Sequence, residues 1–354
     1  MQRRIFSGLL VSFTLAGSAT LALASTPVPL RVLTHSSFDL PKDLLAQFEK
    51  DAQVKLSIVK AGDAGEMVNK LILTRAKPVA DVVFGIDNSL LPRVQAAGVL
   101  DVYTGPAASR PAAAAMGEGA GPSGVVAGVV PVDHGYVTLN IDKAWFAANK
   151  LALPTSLDDL TQPAYRKLLV VQNPATSSPG QAFLWATIAG LGEQAAFDWW
   201  ARLRANEVKV AKGWTEAYYT DFTRNGGTRP IVVSYASSPA AEVFYAKEKL
   251  TESPTANLFL KGGVFRQVEG VALVKGGNPA AREAAGRFIE FLRSTPVQQA
   301  LQTSMWMLPA EPGTPLADVI KQHTSEPPRF DNPGTAQMAQ GKAWLQRWTK
   351  VVLK

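Results

Sequence analysis

The chain has 354 residues, 47% of them hydrophobic and 18% charged, with a formal net charge of +7. That length exceeds one small core and predicts two lobes held by apolar burial, since the absence of cysteine excludes disulfides and a thiol nucleophile. No dense Lys/Arg run accompanies the mild positive balance, which argues against a nucleic-acid partner.

Residues 1–24 stand apart. Gln2-Arg3-Arg4 supplies a positive start, residues 5–15 are mostly apolar, and Ala22-Leu23-Ala24 offers a small-residue cleavage site. This pattern predicts a secretory signal peptide removed after Ala24. Removal of Arg3 and Arg4 takes the net charge from +7 to +5. An exported chain with no later membrane-length apolar run, and no cysteine for lipid attachment, is expected to diffuse freely in the periplasm as a monomer.

The remainder alternates strands with helices. Strands are predicted at 29–34, 54–59 and 80–84, with helices at 40–51 and 66–74 between them. That alternation predicts an α/β fold with mostly parallel sheets, whose ligands sit at the carboxyl ends of strands. These ends carry His35, Asp63 and Asp87. Residues 104–128, rich in Gly, Ala, Pro and Ser, read as an exposed loop. The extended segment 129–142, broken by Asp133-His-Gly-Tyr136, reads as a crossover between lobes.

A second α/β set follows, with strands at 167–172, 207–211, 231–235 and 267–274. Helices are predicted at 181–191, 278–294, 297–303 and 335–354. The lobes are expected as 25–132 with 268–354, and 133–267.

Within the second set, Asn173-Pro-Ala-Thr-Ser-Ser-Pro-Gly180 turns from a strand onto a helix. Ser178 suits the N-cap, Pro179 the first helical position, and free N–H groups beside Ser177 and Ser178 suit an oxyanion. An ordinary capped turn would look the same.

Enzyme motifs are absent. There is no G-x-S-x-G elbow, P-loop or dinucleotide fingerprint, and His35, His134 and His323 never fall at metal-ligand spacing. A binding role without catalytic residues, cofactor or metal is the expectation. Two further strand ends resemble 173–180: Lys212-Gly-Trp-Thr-Glu-Ala-Tyr218 and Ser234-Tyr-Ala-Ser-Ser-Pro239. Trp214 and Tyr235 suit a flat ring, and the acids Asp63, Asp87, Asp133, Glu216 and Glu269 suit a cation. Asp63 and Asp87 are equally placed to cap helices.

Across most of 30–310 the chain resembles the extracytoplasmic solute-binding proteins of ABC importers, and among them the thiamine-binding branch. The resemblance is carried by Gly62-Asp63, Asn69-Lys-Leu71, Ala80-Asp-Val-Val-Phe-Gly-Ile-Asp-Asn88, Val130-Pro-Val-Asp-His-Gly-Tyr136, the three strand ends above and Trp306-Met-Leu-Pro309. It implies a type 2 periplasmic binding protein, with two lobes, two crossing segments and a hinged cleft. Thiamine or its phosphates would bind there and pass to a membrane permease. By the same resemblance, ligand contacts fall on Asp63, Ala64, Ser177, Ser178, Trp214, Tyr235, Ala236, Ser237 and Ser238. His35, Asp133, Tyr136, Glu216 and Trp306 form a second rank. Two other readings stay open: a ferric-iron carrier using the adjacent Tyr218 and Tyr219, and an exported phosphate-ester hydrolase needing a base near Ser177 or Ser237.

Overall fold

The computed structural model describes residues 27–354; the expected signal peptide lies outside the described residues. In chain order the strands are β1 (Val28–Thr34), β2 (Val54–Lys60), β3 (Val82–Asp87), β4 (Leu100–Asp101), β5 (Val130–Asp142), β6 (Leu169–Gln172), β7 (Lys209–Ala211), β8 (Ile231–Tyr235), β9 (Thr255–Leu258), β10 (Phe265–Val274) and β11 (Leu308–Pro309). They lie in the order β2-β1-β3-β10-β5-β8-β6-β7, with β4 on β10 and with β9 and β11 on β5.

The first three strands pair in parallel, as do β8, β6 and β7. Between these sets run β10 and β5, antiparallel to each other and to their outer neighbours. β5 pairs with β10 through Val130–Val137 and with β8 through Val137–Ile141, so one strand belongs to both halves. A register irregularity between Glu269 and Gly270 sits where β5 passes from one half to the other. Such a bulge bends and twists the ladder locally.

The helices form where their apolar spacing meets a core. Lys42–Ala52 buries Phe48, with Leu44 and Leu45 half-buried beside it, and ends at Gln53 in the left-handed region. Ser178–Leu191 is buried on every side from Ser178 to Ile188, because it runs between the sheet and a further helix layer. Its flank is closed by Glu193–Ala205, whose Trp199 and Trp200 meet edge to face at 5.0 Å. The loop at 104–128 is irregular as expected, yet Met116 and Ala107 are fully buried and anchor it to the first half.

The C-terminal segment departs from expectation in two ways. It is not one helix but Thr335–Met338, Gly341–Trp348 and a looser turn at Thr349–Leu353. It also packs on the second half: Trp344 meets Trp185 at 5.1 Å and Trp348 meets Trp200 at 5.6 Å. The expected grouping of 268–354 with the first lobe therefore does not describe where these indoles are buried. The helix layer of the second half supplies the aromatic surface on which they pack, and truncating one such tryptophan is expected to cost about 3–5 kcal/mol.

Candidate functional site

The two parallel sets point their carboxyl ends at each other across a cavity of about 400 Å³. From the first half come His35, just beyond β1, and Asp63, the N-cap of the helix Ala64–Leu73. His35 lies against Gly85, where a Cβ would stand 2.3 Å from the imidazole Cδ2. Only a glycine at that point of β3 leaves room for the ring.

Asp63 is both cap and cleft residue. Its Oδ1 accepts the Ala64 N–H at 2.7 Å, and its Oδ2 accepts the Trp214 N–H at 3.0 Å from the opposite half. Asp87, fully buried, accepts from the N–H groups of Ser89 and Leu90 and from the Ser178 hydroxyl across the cleft. Burial raises its carboxyl to about 6. Gln181 donates to the Ser89 carbonyl at 2.7 Å, and Lys212 reaches Glu66 at 2.9 Å. The halves are thus in direct contact beside the cavity, and the cleft is closed.

From the second half, Trp214 follows the short β7. Its indole N–H donates to the Ser234 hydroxyl at 2.9 Å, and its ring stacks on Tyr218 at 5.1 Å and 21°. Tyr235 ends β8 and donates its hydroxyl to Gln267 at 3.1 Å. Ser237 donates to the Trp306 carbonyl at 2.6 Å, and Ser238 lies 2.8 Å from Ser234. Trp306 itself has φ +61°, sparsely populated for a non-glycine residue, and its ring meets Phe244 and Tyr245. Held strain of this kind clusters at binding sites.

Of the residues expected from sequence, His35, Asp63, Ala64, Ser178, Trp214, Tyr235, Ser237, Ser238 and Trp306 line the cavity. The others do not. Ser177, rather than Ser178, is the N-cap of Ser178–Leu191, and its hydroxyl is buried without a partner. Ala236 is buried and donates its N–H to the Tyr136 carbonyl, while the Tyr136 ring packs near Phe330. Glu216 is exposed and accepts the Lys212 N–H at 2.8 Å. Asp133 is fully buried on β5, opposite Glu269 of β10.

Sequence reasoning missed Arg224, Asn225, Glu242, Tyr245 and Lys247 along the outer part of the cavity, and Met305 and Met307 near its floor. None stands at a strand end. The available signal for the first five was their position just after strand-end motifs of the second half, and for Met307 its place inside Trp306-Met-Leu-Pro309. Tyr218 and Tyr219 also line the cavity, but the Tyr218 hydroxyl donates to Glu242 at 2.8 Å and its ring is the stacking base for Trp214.

A family model for bacterial extracellular solute-binding proteins matches residues 77–340. The chain belongs to that family. The thiamine-binding periplasmic protein of Escherichia coli (strain K12) is 30% identical over 341 residues, covering 94% of this chain and 97% of that one. Its counterpart in Salmonella typhimurium is 30% identical over 307 residues, covering 86% of each chain. A solved periplasmic thiamin binding protein matches with a TM-score of 0.77 at 28% identity, covering 92% of this chain and 96% of that one. The mixed α/β architecture of this solute-binding protein is accordingly that of the periplasmic binding proteins. Among the described residues no helix is long and apolar enough to cross a membrane.

Proposed function

We propose that this solute-binding protein captures thiamine or a thiamine phosphate in the cleft and delivers it, as a periplasmic monomer, to the permease of an ABC importer. The observation that carries this reading is the composition of the cavity between the halves. Aromatic faces (Trp214, Tyr235, Trp306) and carboxylates (Asp63, Glu269) meet there. Thiamine is a flat pyrimidine joined to a permanently cationic thiazolium ring, which needs both kinds of partner. The relatives' names support the same cargo.

Closure fits the role. The lobes are then 27–132 with the segment from 268 to about 330, and 133–267 with 335–354, hinged where β5 and β10 run between them. A ligand that touches both lobes stabilises the closed form by its differential affinity for it. Arg224 and Lys247, on the outer cavity wall, suit the phosphate of an ester better than Ser178, whose hydroxyl is given to Asp87.

Catalysis has no machinery to support it in this cleft. The Ser237 hydroxyl is donated to the Trp306 carbonyl and the buried Ser177 hydroxyl has no partner, so neither is paired with an imidazole. The engaged Tyr218 likewise favours an aromatic cargo over ferric iron.

Tryptophan fluorescence of mature, refolded, ligand-free protein, titrated with thiamine and with its monophosphate, tests the reading. Saturable quenching is expected with both. No change with either, in folded protein, overturns the thiamine assignment.

A further inference from the structure

Where Glu269 lines the cavity and Asp133 lies buried against it, the site holds more buried acid than ionised side chains can sustain. Asp133 of β5 and Glu269 of β10 face each other in register; Asp133 is fully buried and Glu269 is 6% exposed. Both Asp133 oxygens lack a hydrogen-bond partner. Two carboxylates turned together with no donor between them supply none; a proton shared by the pair does, and it is the arrangement in which the two can stay close. Glu269 also accepts from Gln267 at 3.1 Å.

The imidazole of His35 stands beside Glu269. Its Nε2 lies 3.7 Å from Glu269 Oε1, too far for a hydrogen bond, and is buried without a partner. Asp63 on its helix N-terminus and Asp87 on β3 face the same imidazole. Tyr235 on β8 faces Glu269, Asp63 and Asp87 with a neutral phenol. Lys212, on the rim, is engaged by Glu66. Three carboxylates thus face one imidazole, with Asp133 set against Glu269, in a site mostly shut off from water. Isolated charges are costly there unless paired or protonated.

Resting on the thiamine reading, we propose that Asp133, set against Glu269, and His35 form a proton store that is emptied when a cationic ligand enters: the ligand's fixed positive charge takes the place of a proton, which leaves to solvent. The charge balance of the site is then the same before and after binding. A quaternary nitrogen suits this exchange because its charge does not depend on pH. Burial and the Glu269 charge already hold Asp133 well above the ordinary carboxylate range. Burial alone would lower His35, but Glu269, Asp63 and Asp87 together raise it.

The sign follows from linkage. A cation beside these groups favours their deprotonated forms, so binding releases protons and affinity rises with pH. For one proton released, the gain is about tenfold per pH unit across the window where the empty site is protonated and the filled site is not. A neutral ligand of the same shape would lack this dependence.

Calorimetric titration with thiamine at pH 6, in two buffers of different ionisation heat, counts the protons. Release of roughly half to one proton per thiamine is expected. Thiamine binding with no net proton release overturns the store and leaves the cargo intact. Absence of any saturable heat in folded protein overturns the cargo and the store together. In Glu269→Gln, shown to be folded by its melting transition, the release is expected to vanish; full release retained there overturns the assignment to this pair. If Glu269→Gln does not fold, His35→Gln serves in its place, with release expected to fall and an unchanged count overturning the role of His35.

Discussion

The carboxylate of Asp63 serves both halves of the molecule: Oδ1 caps its own helix at Ala64 and Oδ2 accepts the Trp214 N–H, 151 residues away, at 3.0 Å. A Cβ on Gly213 would stand 3.0 Å from the same Oδ2, so a glycine precedes Trp214 where the halves come closest to this acid. The bond ties helix capping in one lobe to the position of the stacking indole in the other. Closure and ligand contact therefore share a residue.

Two variants of Asp63 separate those duties. Asp63→Ala removes the cap and the inter-lobe acceptor, with an expected stability loss of about 1 kcal/mol from the cap. Asp63→Asn keeps an acceptor for the cap and is expected to melt near the parent temperature. Both are expected to bind thiamine more weakly; the Asn variant loses the charge and, with its single amide oxygen kept for the cap, the acceptor for the Trp214 N–H. Melting curves and calorimetric titration of the two variants check this.

Gly65 tests closure directly. A Cβ there would lie 2.6 Å from the backbone C and O of Thr176 in the opposite half. Gly65→Ala suits the helix Ala64–Leu73, by up to about 1 kcal/mol, yet obstructs the approach of the halves. We expect unchanged or higher melting temperature with thiamine affinity lowered roughly tenfold or more, because the binding-competent population shrinks. Small-angle scattering with saturating thiamine should show the more open form.

Asp87 has a folded-state carboxyl at about 6 against an ordinary value of 3.8, raised by burial. A raised carboxyl favours the protonated folded form. Its contribution is full below about pH 4 and is lost as pH rises through about 6. Relative to Asp87→Asn, the parent should lose on the order of 3 kcal/mol across that window and nothing further above it. Denaturant unfolding of both proteins from pH 4 to 8 measures the difference. A flat difference would mean that Asp87 stands in water with the lobes apart.

Trp214→Ala is expected to weaken every form of the ligand by about 1–3 kcal/mol, the scale of a lost stacking aromatic. Calorimetry reads this without relying on the removed fluorophore. Intact affinity in the variant would take Trp214 out of the site.

The outer wall should discriminate among esters. Arg224 is 3.1 Å from Glu242, whereas Lys247 lines the cavity beside it. Lys247→Ala is expected to weaken thiamine monophosphate several-fold and free thiamine little, since the missing attraction acts only on the phosphate. Equal loss for both ligands would remove Lys247 from phosphate recognition.

Much of this architecture is written locally. The order of strands and helices, the cap at Asp63, the strand-end positions of His35, Trp214 and Tyr235, and the crossing role of 129–142 all follow from periodicity, turn chemistry and short-range side-chain preference. Those forces act within a few residues, so a single chain displays them. Even Ser177 and Ser178 were placed at a helix start, with an error of one residue in the cap, because both hydroxyls suit it equally.

What the tertiary structure alone decided is which side chains face one another. Whether Asp133 looks into the cavity or lies behind Glu269 depends on the register of β5 against β10, with a bulge one residue away. Whether Ser178 is free for an anion depends on how far the lobes close, which brings Asp87 to its hydroxyl. The lining by Arg224, Tyr245 and Lys247, and the burial of Trp344 and Trp348 on the second half, rest on contacts between segments far apart in sequence. Such contacts are selected by the global fit of apolar surface and the pairing of buried polar groups, and neither quantity exists until the chain has closed on itself.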